Sequence, residues 1–213
     1  MPKQKNRTHI AVLLDRSGSM NAIRADALGS YNAYLAEQQE STADDVRWSL
    51  TLFGGQDVEL RNAGVPLAEM LPMAEADYRP RGDTPLFDAM GRTMTALEDA
   101  VKDTDRALFV IITDGHENAS TEWSHAAVQA KVKELTAKGN WTIVYLASTP
   151  DAAEIGVGLG LQRSNTVQLA PGGEGEAIRR LSHATSRYRR SEDRASGEFG
   201  AEVDGEEEGT GSS

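Results

Sequence analysis

The stretch Ile10-Ala11-Val12-Leu13-Leu14-Asp15-Arg16-Ser17-Gly18-Ser19 decides the reading of this 213-residue chain. Five consecutive apolar residues predict a buried strand, and the run stops at a carboxylate. Asp15, Ser17 and Ser19 then place one carboxylate and two hydroxyls on alternate residues. In an open α/β sheet, ligands bind in the crevice outside the carboxyl ends of the strands, which is where this cluster falls. A loop that turns back at Gly18 can aim all three oxygens at one point, as a hard cation such as Mg2+ requires.

Outward from this strand, apolar runs alternate with segments of helical period, the pattern of a largely parallel sheet covered by helices. Strands are predicted at His9 to Leu14, Val46 to Phe53, Ala107 to Thr113, Trp141 to Ala147 and Thr166 to Leu169. A short antiparallel edge strand near Val58 to Leu60 can pair back across the Gly54-Gly55 turn. Ile23, Ala27, Tyr31 and Leu35 mark one face of a first helix, and Leu86, Met90, Met94, Leu97 and Val101 mark a second. Val128, Val132 and Leu135 mark another; Ile178, Leu181, Thr185 and Tyr188 mark a last helix, Gly175 to Arg190. The expected fold is α/β, a Rossmann-like doubly wound sheet with helices on both faces.

The length suits one domain, read as residues 8–190, with an N-terminal arm at 1–7 and a disordered acidic tail at 191–213. The net charge is −11, of which residues 191–213 carry −7 through eight acids and Arg194, leaving −4 for the body. That balance argues against nucleic acid and anionic membrane as partners. Cysteine is absent, which excludes disulfides, thiolate metal sites and cysteine nucleophiles. No apolar run reaches the length of a signal-peptide core or a membrane span, and the chain reads as cytoplasmic.

Two further clusters accompany the first. Thr84 stands between Arg81-Gly82-Asp83 and Pro85 at the start of the second helix, and Asp114 ends the strand Val110-Ile111-Ile112-Thr113 before Gly115. If the first and central strands are neighbours, two carboxylates and three hydroxyls converge, a set that suits Mg2+ and balances its charge. Asp15-x-Ser17-x-Ser19, Thr84 and Asp114-Gly115, in this order, resemble the metal-ion-dependent adhesion site (MIDAS) of von Willebrand factor type A (VWA) domains. Arg81-Gly82-Asp83-Thr84-Pro85-Leu86 and Thr113-Asp114-Gly115-His116-Glu117-Asn118 are similar to small intracellular bacterial and phage members. The resemblance covers roughly residues 8 to 190. It implies that Ser17 and Ser19 ligate the ion directly, that Asp15 acts through water, and that Thr84 and Asp114 exchange direct and water-mediated roles. It further implies Mg2+, with Mn2+ or Ca2+ as alternatives, and a protein partner whose acidic residue completes the coordination shell. AAA-type ATPases and stress-response assemblies are partners suggested by family association alone.

Each part also has a purely structural reading. Ser17, Ser19 or Asn21 can cap the first helix, Thr84 before Pro85 can cap the second, and Asp114-Gly115 can be a turn. Arg81-Gly82-Asp83 reads as loop, and Asn118-Ala119-Ser120 lacks the secretory context of a glycosylation acceptor. Gly156-x-Gly158-x-Gly160 follows a helical segment, has the wrong spacing for a dinucleotide fingerprint and reads as a loop. His9, His116, His125 and His183 show no paired ligand spacing, although His116 and Glu117 fit the rim of the site. Arg179, Arg180, Arg187, Arg189 and Arg190 read either as a basic patch or as a solvated helix face.

The leading function is a binding module in which Mg2+ captures a partner's carboxylate; no activated nucleophile is visible. A Mg2+-dependent hydrolase or phosphoryl-transfer enzyme using Asp15 is the alternative, with a metal-independent scaffold as the third. Glu206-Glu207-Glu208 could reach the metal site on their tether, or the tail could serve only solubility.

Overall fold

The computed structural model describes residues 7–40, 44–114, 117–147, 150–168 and 174–190. Along the chain run β1 (Thr8–Asp15), α1 (Arg24–Gln39), β2 (Val46–Gly54), β3 (Asp57–Pro66), α2 (Leu86–Ala100) and β4 (Arg106–Thr113). They are followed by α3 (His125–Ala137), β5 (Trp141–Ala147), α4 (Pro150–Gly158), β6 (Thr166–Gln168) and α5 (Glu174–Arg190). The described strands form one sheet in the order β3-β2-β1-β4-β5-β6, parallel throughout except for β3. The doubly wound α/β fold expected from the sequence is therefore the fold observed. The expected arm falls largely on residues 1–6 and the expected tail on 191–213, both outside the described residues.

All eight residues of β1 and all eight of β4 are buried, because helices cover both faces of the sheet. Ile10, Val12 and Leu14 face a layer that includes Tyr31, Tyr34 and Leu35 of α1 with Ile178 and Leu181 of α5. Ala11 and Leu13 face the other layer, with Leu86, Met90 and Met94 of α2 and Val128, Val132 and Leu135 of α3. Trp48 of β2 anchors the first layer, its ring 5.4 Å from that of Tyr34 and 6.3 Å from that of Tyr31.

The winding reverses between β1 and β4: β2 and β3 lie to one side of β1, β5 and β6 beyond β4. Registers pair Leu14 with Ile112 across β1 and β4, and Asp15 with Phe53 across β1 and β2. Asp15 and Asp114 thus leave the sheet at the same end, on neighbouring strands, at the switch point where such folds form a crevice.

Two elements differ from expectation. The predicted short strand at Val58 to Leu60 extends over ten residues and is the longest of the described strands. Its alternation is broken because β3 is an edge, where Glu59, Arg61 and Asn62 meet solvent or its margin. Register shifts between Trp48 and Leu50, and between Leu50 and Thr51, also move side chains out of phase. The glycines at 156 and 158 belong to α4 rather than to a loop; only Gly160, with φ of +87°, makes the turn. Gly156 serves close packing, since a β-carbon there would stand 3.0 Å from the Thr166 methyl and 3.2 Å from the Tyr145 ring.

Gly54, at the end of β2, is the tightest backbone approach near the switch point. A β-carbon at this position would lie 2.5 Å from both the carbonyl carbon and the oxygen of Arg16. Backbone cannot yield as a flexible side chain can, so Gly54→Ala should destabilise the fold by roughly 2–4 kcal/mol. Urea denaturation followed by circular dichroism measures this, and an unchanged midpoint would contradict the packing described.

Candidate metal centre

Asp15 has no exposed surface, although it carries a carboxylate. Its Oδ1 accepts the Ser17 backbone N–H at 2.6 Å, and its Oδ2 accepts the Thr113 hydroxyl at 2.5 Å. The Asp15 carbonyl is held separately, by the Tyr78 hydroxyl at 2.5 Å. Above this buried group the two serine hydroxyls lie 3.1 Å apart, and Ser19 Oγ donates to Asp114 Oδ1 at 2.8 Å. Four of the five residues singled out in the sequence are thereby joined by hydrogen bonds that bridge the ends of β1 and β4.

Thr84 reaches the same place through backbone. Gly18 N–H donates to the Gly82 carbonyl at 2.8 Å, Arg81 N–H to the Arg16 carbonyl at 2.8 Å, and Gly55 N–H to the Asp83 carbonyl at 2.7 Å. On its other side the Thr84 N–H donates to Asn118 Oδ1 at 2.7 Å, and Asn118 N–H returns to the Thr84 carbonyl at 3.2 Å. Thr84, itself buried, is thus fixed between the Asp15 loop and the segment that follows Asp114.

The side chains of Ser17 and Thr84 do not cap the helices that follow them. Ser17 occupies the N-cap position of the 3-10 turn Gly18–Ile23 without a side-chain cap, and α1 begins only at Arg24. Asn21 spends its amide on the Gly18 and Pro80 carbonyls. Helix α2 starts at Leu86, and its open N–H groups at Phe87 and Asp88 are taken by Glu117 Oε2 and Ser120 Oγ rather than by Thr84. Asp88 returns the arrangement by accepting the N–H groups of Thr121, Glu122 and Trp123. Glu117 therefore acts as a distant helix cap; Gly115 and His116 lie outside the described residues.

Burial is the main cause that pushes the Asp15 carboxyl up to about 6, from its ordinary 3.8. The bonds from Thr113 and Ser17 oppose the rise, and the charge of Asp114 adds to it. Burial and the same two carboxylates raise the Tyr145 phenol, whose hydroxyl is buried without a partner. Among the described residues no three His, Cys, Asp or Glu side chains group as a metal site. The donor set here is instead two carboxylates with hydroxyls, all hard oxygens. That chemistry fits a divalent cation of the Mg2+ type.

Thr113, Tyr78 and Asn118 complete the centre, yet none was assigned this role from sequence; Glu117, read there as a rim residue, bonds the start of α2. Thr113 and Asn118 stand inside the quoted Thr113 to Asn118 motif, which was the available signal. Tyr78 sits in an irregular segment after β3 and carried none.

The raised carboxyl has a consequence for stability without metal. Unfolding returns Asp15 to its ordinary pKa, so the folded state loses stability as pH rises from 3.8 through about 6. Above that range the loss is complete, on the order of 3 kcal/mol. Asn keeps the acceptor for Ser17 N–H and can reverse the bond with Thr113. Asp15→Asn should therefore be more stable than the parent in EDTA at pH 7, with the difference vanishing near pH 4. Urea titrations across that pH range test this, and a less stable variant at pH 7 would refute it.

No sequence-family model matches the chain, and no curated protein does. Solved structures do. The SpRpn10 VWA domain aligns with a TM-score of 0.58 at 13% identity, covering 79% of this chain and 89% of that one. The mussel byssus protein PTMP1 with a zinc-occupied MIDAS motif aligns at 0.58 and 13%, covering 82% of this chain and 47% of its own. The pilus adhesin SpaC of Lactobacillus rhamnosus GG, in its open conformation, aligns at 0.63 and 12%, covering 89% of this chain and 30% of its own. The chain spans under half the length of the PTMP1 structures it matches, 46% to 47%. Among the described residues no helix is long and apolar enough to cross a membrane. The order β3-β2-β1-β4-β5-β6, the helices on both faces and these alignments together give the chain the fold of von Willebrand factor type A domains.

Proposed function

We propose that this protein is a metal-dependent binding module in which Asp15, Ser17, Ser19, Thr84 and Asp114 hold a divalent cation, Mg2+ by donor chemistry. Mn2+ and Ca2+ suit the same oxygens less selectively. The observation that carries the reading is the bonded series Ser17, Ser19, Asp114 above the buried Asp15. When bound, the ion supplies a positive centre that takes up a carboxylate of a protein partner in place of water. The chain's own residues do the rest. Ser17 and Ser19 present neutral oxygens at the surface of the crevice, Asp114 balances charge beside them, and Asp15 orients the Ser17 loop from beneath.

The same geometry disfavours Asp15 as a catalytic group, because its two oxygens are taken by Ser17 and Thr113 and it is closed to solvent. The described histidines do not supply a base either. His9 lies at the opposite end of β1, 3.3 Å from Asp105, and His125 packs on Phe87. The VWA structures that resemble this one include a zinc-occupied MIDAS motif and a pilus adhesin, which supports a metal and a protein ligand here. The cysteine-free composition fits a cytoplasmic setting.

Ligation requires ionised carboxylates, so Mg2+ binding should weaken as pH falls below about 6. Isothermal titration with Mg2+ or Mn2+ should show Ser17→Ala weakened at least about tenfold and Asp114→Ala more strongly. In a lysate pull-down, a partner should be retained by the parent in Mg2+ and released by EDTA or by Asp15→Asn. Retention that survives both treatments would overturn the proposal in favour of a metal-independent scaffold.

A further inference from the structure

The last helix presents two faces of opposite use. Ala177, Ile178, Leu181, Ala184, Thr185 and Tyr188 are buried against the sheet and α1. The outward face carries Arg179, Arg180, His183, Arg187 and Arg190, all exposed, at the spacing of one helical stripe. Within residues 176–190 the one acid is Glu176, whose carboxylate is shared by Arg179 and Arg180. The helix dipole rewards cations only in the last turn, which accounts for Arg187 and Arg190 but not for Arg179 and Arg180 in the second. A face kept soluble by mixed charges would alternate in sign. This one sets four arginines against Glu176 alone, on a chain whose net charge is −11.

The residues that follow directly have the opposite sign. Residues 191–213 lie outside the described ones and contain eight acids against Arg194. They follow α5 in sequence, and the end of that helix is fixed at the foot of the sheet. Arg106, the first residue of β4, donates to the Tyr188 carbonyl, and the Tyr188 hydroxyl donates to the Ala107 carbonyl at 3.3 Å. The candidate metal centre stands at the other end of the strands, a strand length of about 25 Å away. The stripe from Arg179 to Arg190 is about 16 Å long and begins where the tail begins. Glu192 and Asp193 follow Arg190 closely in sequence, and Glu206-Glu207-Glu208 can return as far as Arg179 and Arg180, since the fifteen intervening residues span up to about 50 Å. A segment tethered this closely has a high effective concentration at the stripe.

We infer that the outer face of α5 is a docking surface for an acidic segment and that its occupant is this chain's own tail, residues 192–208. The contact is electrostatic and shallow, and therefore salt-sensitive. It leaves the candidate metal centre open, and it covers a surface that an acidic partner could reach only by displacing the tail.

The absence of native cysteine makes the test direct. A nitroxide on Ser186→Cys, between His183 and Arg187, reports on the stripe; one on Asp83→Cys, exposed beside Thr84, reports on the metal centre. In the 213-residue protein, amide signals of residues 202–208 should lose most of their intensity with the label at 186. The loss should disappear at about 1 M NaCl, where the screening length is about 3 Å, and in the variant Arg179→Glu/Arg180→Glu/Arg187→Glu. These are exposed positions, and unchanged amide shifts of β1 and β4 would verify that the variant is folded. Loss from the label at 83 instead of 186 would overturn the inference and put the tail at the metal centre. Loss from neither, or loss indifferent to salt and to the variant, would overturn it in favour of a solvated tail.

Discussion

A carboxylate with no exposed surface ends the central strand, and the rest of the centre is built around keeping it ionisable. β1 is buried on both faces and flanked by parallel neighbours, so Asp15 can be satisfied only from β4 and from its own next turn. Thr113 and the Ser17 amide supply those two bonds. They do not fully offset the loss of water, which is why burial still dominates the carboxyl's upward shift. The residual cost is borne by the fold at neutral pH, the kind of local expense that accompanies binding sites rather than cores. A divalent cation near Ser17, Ser19 and Asp114 would offset it.

Holding such a group requires loops that do not move independently. The segments after β1, after β2 and before α2 are joined by backbone bonds from Arg16 to Phe53, Arg81 to Arg16, Gly18 to Gly82 and Gly55 to Asp83. Gly82 permits the last of these approaches, because with φ of +65° a β-carbon there would stand 2.6 Å from the Gly55 Cα. A second joint ties the segment after β4 to α2. Glu117 and Ser120 satisfy the start of the helix, Asp88 satisfies the loop, and Trp123 lies over Gly91, where a β-carbon would fall 2.0 Å from the indole. Thr84 stands between the two joints, so its position relative to Asp114 is set by backbone on both sides.

This distribution explains what could be read in the sequence. β1, β4 and β5 are long apolar runs, β2 alternates, and the residues whose spacing marked α1, α2, α3 and α5 are buried, save Ile23 and Val101, which are half-buried just outside α1 and α2. Asp15, Ser17, Ser19 and Asp114 were legible because oxygen-bearing residues stand directly after such runs. β3 was only half legible, since an edge strand has one partner and its exposed charges interrupt the alternation. α4 was legible only as a helical segment ahead of the glycines, because Gly156 and Gly158 have poor intrinsic helix propensity; their role is visible only once Thr166 and Tyr145 are seen to crowd that helix. Tyr78 was invisible for a different reason. Its bond to the Asp15 carbonyl spans 63 positions of sequence, and no local pattern encodes it.

The far end of the sheet carries a different chemistry, and it bears on whether the centre can change state. The described chain ends in α5, and side chains at the foot of that helix tie it to α1 and to Asp44. Arg189 of α5 is almost wholly buried and forms a two-pronged pair with Asp44, at 2.9 and 2.7 Å. The same guanidinium donates to both the carbonyl and the side-chain oxygen of Gln38, at 2.8 and 3.0 Å. Tyr34 and Thr185 add a buried hydroxyl pair at 2.9 Å, and Gln38 donates to the Ser182 carbonyl at 3.2 Å. Sliding α5 by a turn would separate Arg189 from Asp44 and leave a buried cation without its acid, a loss of about 3–5 kcal/mol. A ligand with an ordinary coupling free energy of about 1–3 kcal/mol cannot supply that. With its foot held in this way, α5 acts as a fixed wall of the fold, and any adjustment at the candidate metal centre falls to the loops around Ser17, Thr84 and Asp114.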